Sequence, residues 1–444
     1  MEASLDFIHK LRFEALPDPV VHQAKRAFLD LVGVAAAGTE TRLSEIVRRF
    51  AVNNLGAGRN GARILFDGRL ASLSGAAYAG ASTIDSFDAH DGHKLTKGHA
   101  GVAILPALLA LADRAPGIDG RELLTSLVLG FEIATRAGIA LHSSVSDYHT
   151  SGAWNALGVA AIGSRVLKLD VTATRHALGI AEYHGPRSQM MRCIDHPTML
   201  KDGSGWGALA GMSAVQLAAD GFSGAPAITM EAPEQAHLWS DLGSRWRMME
   251  QYFKLYPVCR WAQPAVEAVA AIMRRHAVQA DAIERVEIRT FAAGVRLGTN
   301  PPRSTEEAQY ALGFPVAAYL VRGRIGADEV SDAGLEDPAI LSMLERIDLA
   351  EDPDLTARFP AERAASAIVR LRDGTECRCE PVTAQGDPEN PLDDDAIVAK
   401  FRDLARALDP RRARAIEEGI FALDERSSDA GRLLDAVLSP IAAR

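Results

Sequence analysis

Hydrophobic positions recur at helical spacing through most of the first 255 residues. Over residues 20–37, Val20, Val21, Ala24, Phe28, Leu29, Leu31 and Val32 repeat with the period of a helix. Residues 100–114, 120–140, 152–167, 172–181 and 205–220 carry a similar pattern. Several of these stretches are rich in Ala and Gly where Leu would be usual. Small side chains let helix axes approach closely, so the pattern predicts a tightly packed bundle buried on most faces.

The texture changes after about residue 260. Residues 284–291 alternate, with Val286 and Ile288 set against Glu287 and Arg289, as in a half-buried strand. Residues 366–372, then Asp373-Gly374, then residues 375–382 read as strand, type I′ turn and strand. Helical stretches at 262–276 and 306–321 lie between them, and helical pattern returns at 392–406 and 410–421. The predicted fold class is therefore mainly α. A large helical domain is built from both chain ends, residues 1–261 and 391–444, with a smaller α+β domain inserted at 262–390.

Composition narrows the functional classes. A chain of 444 residues exceeds what one core usually serves, in agreement with two domains. The net charge of −10 and the lack of a Lys/Arg stripe argue against nucleic acid as partner. An anionic substrate would need cations gathered locally against that overall field. Four scattered cysteines, Cys193, Cys259, Cys377 and Cys379, do not suggest a disulfide scaffold. The charged start has no apolar signal region, and no run of 18 uncharged apolar residues occurs. The expectation is a cytoplasmic protein with no membrane span.

Four segments carry candidate chemistry. The run from Asp85 to His99 holds Asp85, Asp88, Asp91, His90, His93, His99, Lys94 and Lys97, and an apolar helix follows at once. A polar, Gly-containing loop entering a helix N-terminus suits anion binding, because free N–H groups and the helix dipole point there. A solvated loop with a cap is the plain alternative; the density of titratable groups favours a site. A metal site is the third reading, set aside because the spacing matches no familiar ligand pattern and the lysines would repel a cation. His149 lies just before the helix at 152–167, where Thr150 or Ser151 can cap. Lys201 precedes a Gly/Ser loop and a small-residue helix, another possible anion cradle, or else a surface lysine in a turn. At the proposed domain boundary, Lys254 and Arg260 suit substrate binding, and Arg260 could clamp a carboxylate with two parallel bonds. Cys259, and the pair Cys377 and Cys379, read as packed residues.

Taken in order, these segments resemble the MmgE/PrpD family. The likeness runs through Gly98-His99 with Ile104-Leu-Pro106, His149 with Ala156-Leu-Gly158, Ala177 to Ala181, and Lys201 with Gly205-Trp206. It continues through Lys254-Leu-Tyr-Pro257, Ala308-Gln309 with Val316-Ala-Ala318, and Gly386 to Pro391 with Lys400-Phe401. The resemblance implies a large helical domain with a smaller α+β lid, a homodimer and no required cofactor. The site residues it implies are Asp85 or Asp88, His99, His149, Lys201 and Lys254. This chain departs from the family in a longer loop around Asp88-Ala-His-Asp-Gly, in Lys201-Asp-Gly-Ser, and in Phe314 where a tyrosine is common.

The expected activity is that of a lyase or isomerase abstracting a proton next to a carboxylate of a di- or tricarboxylate. Dehydration of the 2-methylcitrate type comes first; decarboxylation of the cis-aconitate type and epimerisation share its carbanion-like intermediate. His99 or His149 would be the base, and Asp88 would orient a histidine or assist the leaving group. Lys201, Lys254 and Arg260 would hold carboxylates, with Lys97 and Asp85 beside them and no metal. A non-catalytic polycarboxylate-binding homologue is the alternative from another class.

Overall fold

The computed structural model describes residues 1–115 and 117–441. It is mainly α-helical, and its residues group into two compact units. The first comprises Met1–Met190, Asp202–Tyr252 and Leu392–Arg444; the second comprises Met191–Lys201 and Phe253–Pro391. The short segment ending at Lys201 thus groups with the second unit, which the sequence division at residue 262 does not contain.

In the first unit, helices Asp18–Gly38, Gly101–Arg114, Gly120–Ser144, Gly152–Val166, Val171–His184 and Ser204–Ala219 form the predicted bundle, joined by Leu73–Asp85, which the sequence pattern did not mark. Their starts are set by caps: Ser72, Asp119 and Asp170 accept backbone N–H groups of Gly75, Glu122 and Ala173. Small residues serve close approach as expected. A Cβ at Gly158 would lie 2.7 Å from the Gly130 carbonyl oxygen, so the helices of these two glycines touch backbone to backbone. The helix Gly120–Ser144 is long and apolar enough by length and composition to cross a membrane, and its apolar stretch is wholly buried inside the protein. The C-terminal helix Asp394–Leu404 returns to the first long helix. Lys400 Nζ bonds Asp30 Oδ1 at 2.5 Å, and Gly33 leaves room for the Phe401 ring.

The second unit is built on a four-stranded sheet in the order Ile347–Glu351, Ile283–Thr290, Ala364–Leu371, Glu376–Thr383. The first pair is parallel, with Val286 opposite Ile347; the others are antiparallel, with Val286 opposite Val369 and Ile368 opposite Arg378. Ile283, Val286 and Ile288 are buried, and helix Gln263–His276 packs against the hairpin strands. Cys377 and Cys379 are buried on one strand as free thiols.

Two local expectations are corrected. The hairpin turn is not type I′, which needs two consecutive positive φ angles: only Gly374 is left-handed, at φ +86°. Asp373 instead accepts the Thr375 N–H, and Gly374 N–H bonds Leu371 O, giving a longer loop. The helix expected at 306–321 is two, Thr305–Gln309 and Gly313–Arg322. Gly313 N–H is diverted to Gly298 O, and Pro315 sits in the first turn of the second helix, where its missing donor costs nothing.

Candidate active site

The Asp85–His99 run is not a solvated loop. Asp85, Asp88, His90, Asp91, His93 and His99 are all buried, His90 and Asp91 completely. The loop is held by its own chemistry and by a two-residue ribbon, Gly92–His93 paired with Gln251–Tyr252. The His93 ring bonds Glu250 at 3.2 Å. Burial opposes ionisation of Glu250, but bonds from His93, Arg245 and Arg247 outweigh it and hold the carboxyl at about 2. A Cβ at Gly92 would lie 2.4 Å from Tyr252 Oη and 2.9 Å from His99 Nδ1, so only glycine lets these two side chains pass the backbone.

His99 is oriented by two bonds. Its backbone N–H donates to Ser151 Oγ at 2.8 Å. Its Nδ1 lies 2.5 Å from the Asp91 carbonyl oxygen. A carbonyl only accepts, so Nδ1 carries a proton, and in the neutral ring the lone pair is on Nε2. Ser151 passes the chain on by donating to Asp202 Oδ2. Ser151 was expected to cap the helix Gly152–Val166, yet its side chain makes no cap bond.

Asp202 is the residue the sequence reading missed most clearly. Burial, and then the charge of Asp85, push its carboxyl well above the ordinary range. Its Oδ1 has no hydrogen-bond partner among the described residues. Asp85 Oδ2 accepts the N–H of Ser204, the first residue of the next helix. The anion at that helix N-terminus is therefore the protein's own, not the cradle expected for a ligand.

The His90 ring stands edge-on to the His99 ring, with centroids 4.3 Å apart. Its Nε2 lies 3.6 Å from Asp85 and 3.8 Å from Asp88. Asp88, His90 and His99 each bring a ligand-type atom within 4.8 Å of the others, a geometry able to hold a metal ion that the sequence spacing did not reveal.

A second cluster surrounds His149. Its N–H donates to Nε2 of His142 at 3.1 Å, and the two rings stack at 6.5 Å. Burial and the Lys97 charge lower His142 to about 4, so it stays neutral and able to accept. Lys97 Nζ lies 3.2 Å over the Tyr148 ring. The runs 97–99 and 149–151 thus carry parts of both clusters.

In the second unit, Lys201 is not a surface lysine. It is buried, has φ +49°, bonds Gln309 Oε1 at 2.7 Å and lies over the Tyr310 ring. Lys254 is 1% exposed. Arg260 does not serve as the expected clamp. Its guanidinium bonds Asp387 at 2.7 Å, Gln385 O at 2.8 Å and Gln263 at 3.0 Å, holding the 384–387 turn. Phe314 is buried in a helix core. A cleft of about 500 Å³ lined by Arg296, Arg303 and Tyr310 lies in this unit. Its arginines are paired to Asp195 and Glu307, so the histidine cluster is the better candidate for chemistry.

The MmgE/PrpD N-terminal domain profile matches residues 4–237, and the C-terminal domain profile matches residues 256–425. A cis-aconitate decarboxylase from Mus musculus is 26% identical over 90% of this chain and 86% of its own. The Homo sapiens cis-aconitate decarboxylase is 27% identical over 89% and 85%. A 2-methylcitrate dehydratase from Cupriavidus necator is 34% identical over 36% of each chain.

Proposed function

This chain belongs to the MmgE/PrpD family, and from that premise we propose that it is an acid–base lyase acting on a small tricarboxylate. The observation that carries the reading is the orientation of His99, whose Nδ1–H is fixed on Asp91 O and whose Nε2 is thereby kept as a base. Asp202, whose carboxyl is raised and which shares the Ser151 link, is assigned the complementary acid role. A base and an acid within one hydrogen-bonded cluster are what acid–base chemistry requires.

His99 Nε2 exchanges a proton with the carbon next to a carboxylate, and the negative charge of the intermediate spreads into that carboxylate. Lys97 is assigned to carboxylate binding, where a fixed cation stabilises the intermediate; Lys201 and Lys254 stay carboxylate-binding candidates of the second unit. Asp88, buried beside His90, is assigned to positioning the cluster. Arg260 leaves the list because its donors hold a turn.

Decarboxylation of the cis-aconitate type is placed ahead of dehydration, reversing the order read from sequence. The likeness to the decarboxylases spans about nine-tenths of this chain, whereas that to the dehydratase spans about a third. In decarboxylation the C–C bond breaks, carbon dioxide leaves, and the electron pair left on the carbon takes one proton that His99 Nε2 has picked up from solvent, so one proton is consumed per turnover. Dehydration remains the second reading, favoured by the higher identity of the shorter match. The test is to incubate the purified enzyme with cis-aconitate and with 2-methylcitrate and follow carbon dioxide release and loss of water. Carbon dioxide from cis-aconitate supports the first reading, water loss from 2-methylcitrate the second, and neither reaction contradicts both.

A further inference from the structure

The sequence spacing matches no familiar ligand pattern and the loop carries lysines, yet the fold brings three ligand-type side chains together. Lys97 is carried on the Tyr148 ring, while the histidine cluster is lined by the carboxyl groups of Asp85 and Asp88. His90 is fully buried, and neither ring nitrogen has a hydrogen-bond partner among the described residues. A completely buried imidazole in that condition calls for an explanation, since buried polar atoms are nearly always satisfied. Its Nε2 faces two carboxylates.

We propose that Asp88, His90 and His99 form a binding site for one divalent transition-metal ion of the zinc class. Two imidazoles and one carboxylate are a donor set that suits such ions. Their ligand-type atoms already lie within 4.8 Å of one another. Bonds of about 2.0–2.2 Å to a common ion require them to close by about an ångström, within reach of side-chain torsions. His99 has the second bond common in metal-bound histidines, its Nδ1–H held by a backbone carbonyl.

The site also regulates the same chemistry, and this half rests on His99 being the base. With Nδ1–H held by Asp91, Nε2 is the ring atom that would both ligate the ion and move the proton. It cannot bind a metal and take a proton from substrate at once, so metal occupancy and turnover exclude each other. The ion is an inhibitor, and its removal restores the base.

The experiment uses the full-length protein, stripped with chelator and desalted, titrated with zinc alone by calorimetry and by competition with a chromophoric chelator. Wild type should bind one ion per chain. His90→Gln and Asp88→Asn, each checked for folding by circular dichroism, should bind at least about 10-fold more weakly. No stoichiometric binding by wild type, or equal binding by both folded variants, overturns the site. In parallel, zinc should lower wild-type turnover on the tricarboxylate, with recovery on adding chelator, and His90→Gln should need at least about 10-fold more zinc for the same fractional loss. Zinc that binds but leaves turnover unchanged, or raises it, overturns the inhibition while leaving the site standing. An enzyme without turnover on any tricarboxylate refutes the lyase reading, and the binding titration still decides the site.

Discussion

Asp202 makes the sharpest residue-scale case, because function and stability should move in opposite directions there. Its folded-state carboxyl is raised, so the folded protein binds this proton more tightly than the unfolded chain does. That contribution to stability is full below the unfolded value of about 4 and is lost as pH rises toward the folded one. Asp202→Asn removes the titrating proton, keeps the shape and can still accept from Ser151. Melting temperature at pH 8 should be equal to or above wild type, while kcat falls by about 10²-fold or more. A variant with unaltered kcat would remove Asp202 from the chemistry. His149→Ala separates the two histidine clusters: its N–H is backbone and survives the change, so kcat should fall less than on changing His99. His276→Ala, at the exposed end of helix Gln263–His276, should leave turnover unchanged. The polar run from Asp85 to His99 was legible in the sequence as a site because its charges are dense. Asp202, Ser151, His90 and His142 were not, because their roles come from partners 51 or 7 residues away or from the completeness of burial. Arg260 was misread for the same reason: a guanidinium looks alike in sequence whether it awaits a ligand or holds a turn.

Among elements, the loop carrying His149 is tied to the long helix before it through the His142 ring. That bond needs an unprotonated Nε2, and His142 titrates at about 4 against 6.5 unfolded. The unfolded chain therefore binds the extra proton first as pH falls, and stability should drop between pH 6.5 and 4 by at most about 3 kcal/mol from this group. Urea unfolding at pH 7 and pH 4.5 should show a smaller loss for His142→Gln than for wild type; equal losses would place the pH sensitivity elsewhere. The Gly92–His93 ribbon gives a second check. Gly92→Ala puts a Cβ against Tyr252 and His99, so the base is displaced and kcat should fall by about 10²-fold with helix content retained. Wild-type turnover in Gly92→Ala would mean that this contact does not hold His99. Long periodic helices were read from sequence to within a few residues, since each buries an extended apolar face. The strand Ile347–Glu351 was missed, as only Ile347 of its five residues is fully buried. The 306–321 helix was drawn too long because its break is set by a distant carbonyl, that of Gly298.

For the whole molecule, the mainly α class was legible because most of the chain repeats with helical period. The grouping of Met191–Lys201 with the second unit was not, since a short segment in a helical half bears no compositional mark. The family resemblance implies a homodimer, and the first unit exposes two large aromatic side chains, Phe50 and Trp206, where one could form. Both rings pack edge-on with the buried Tyr78 between them, and Trp206 is about half exposed. Light scattering at micromolar concentration should give twice the 47.5 kDa chain mass, and Trp206→Ser should shift the equilibrium toward monomer. A wild-type monomer would contradict this. The central claim is that His99 Nε2 moves a proton at the carbon beside a carboxylate. It is tested most directly by proton NMR of the tricarboxylate reaction in deuterium oxide, with wild type and His99→Gln side by side. The account predicts one solvent deuterium at that carbon of the wild-type product and a rate lower by about 10²–10⁴-fold for the folded variant. Deuterium incorporation by His99→Gln at the wild-type rate would contradict it.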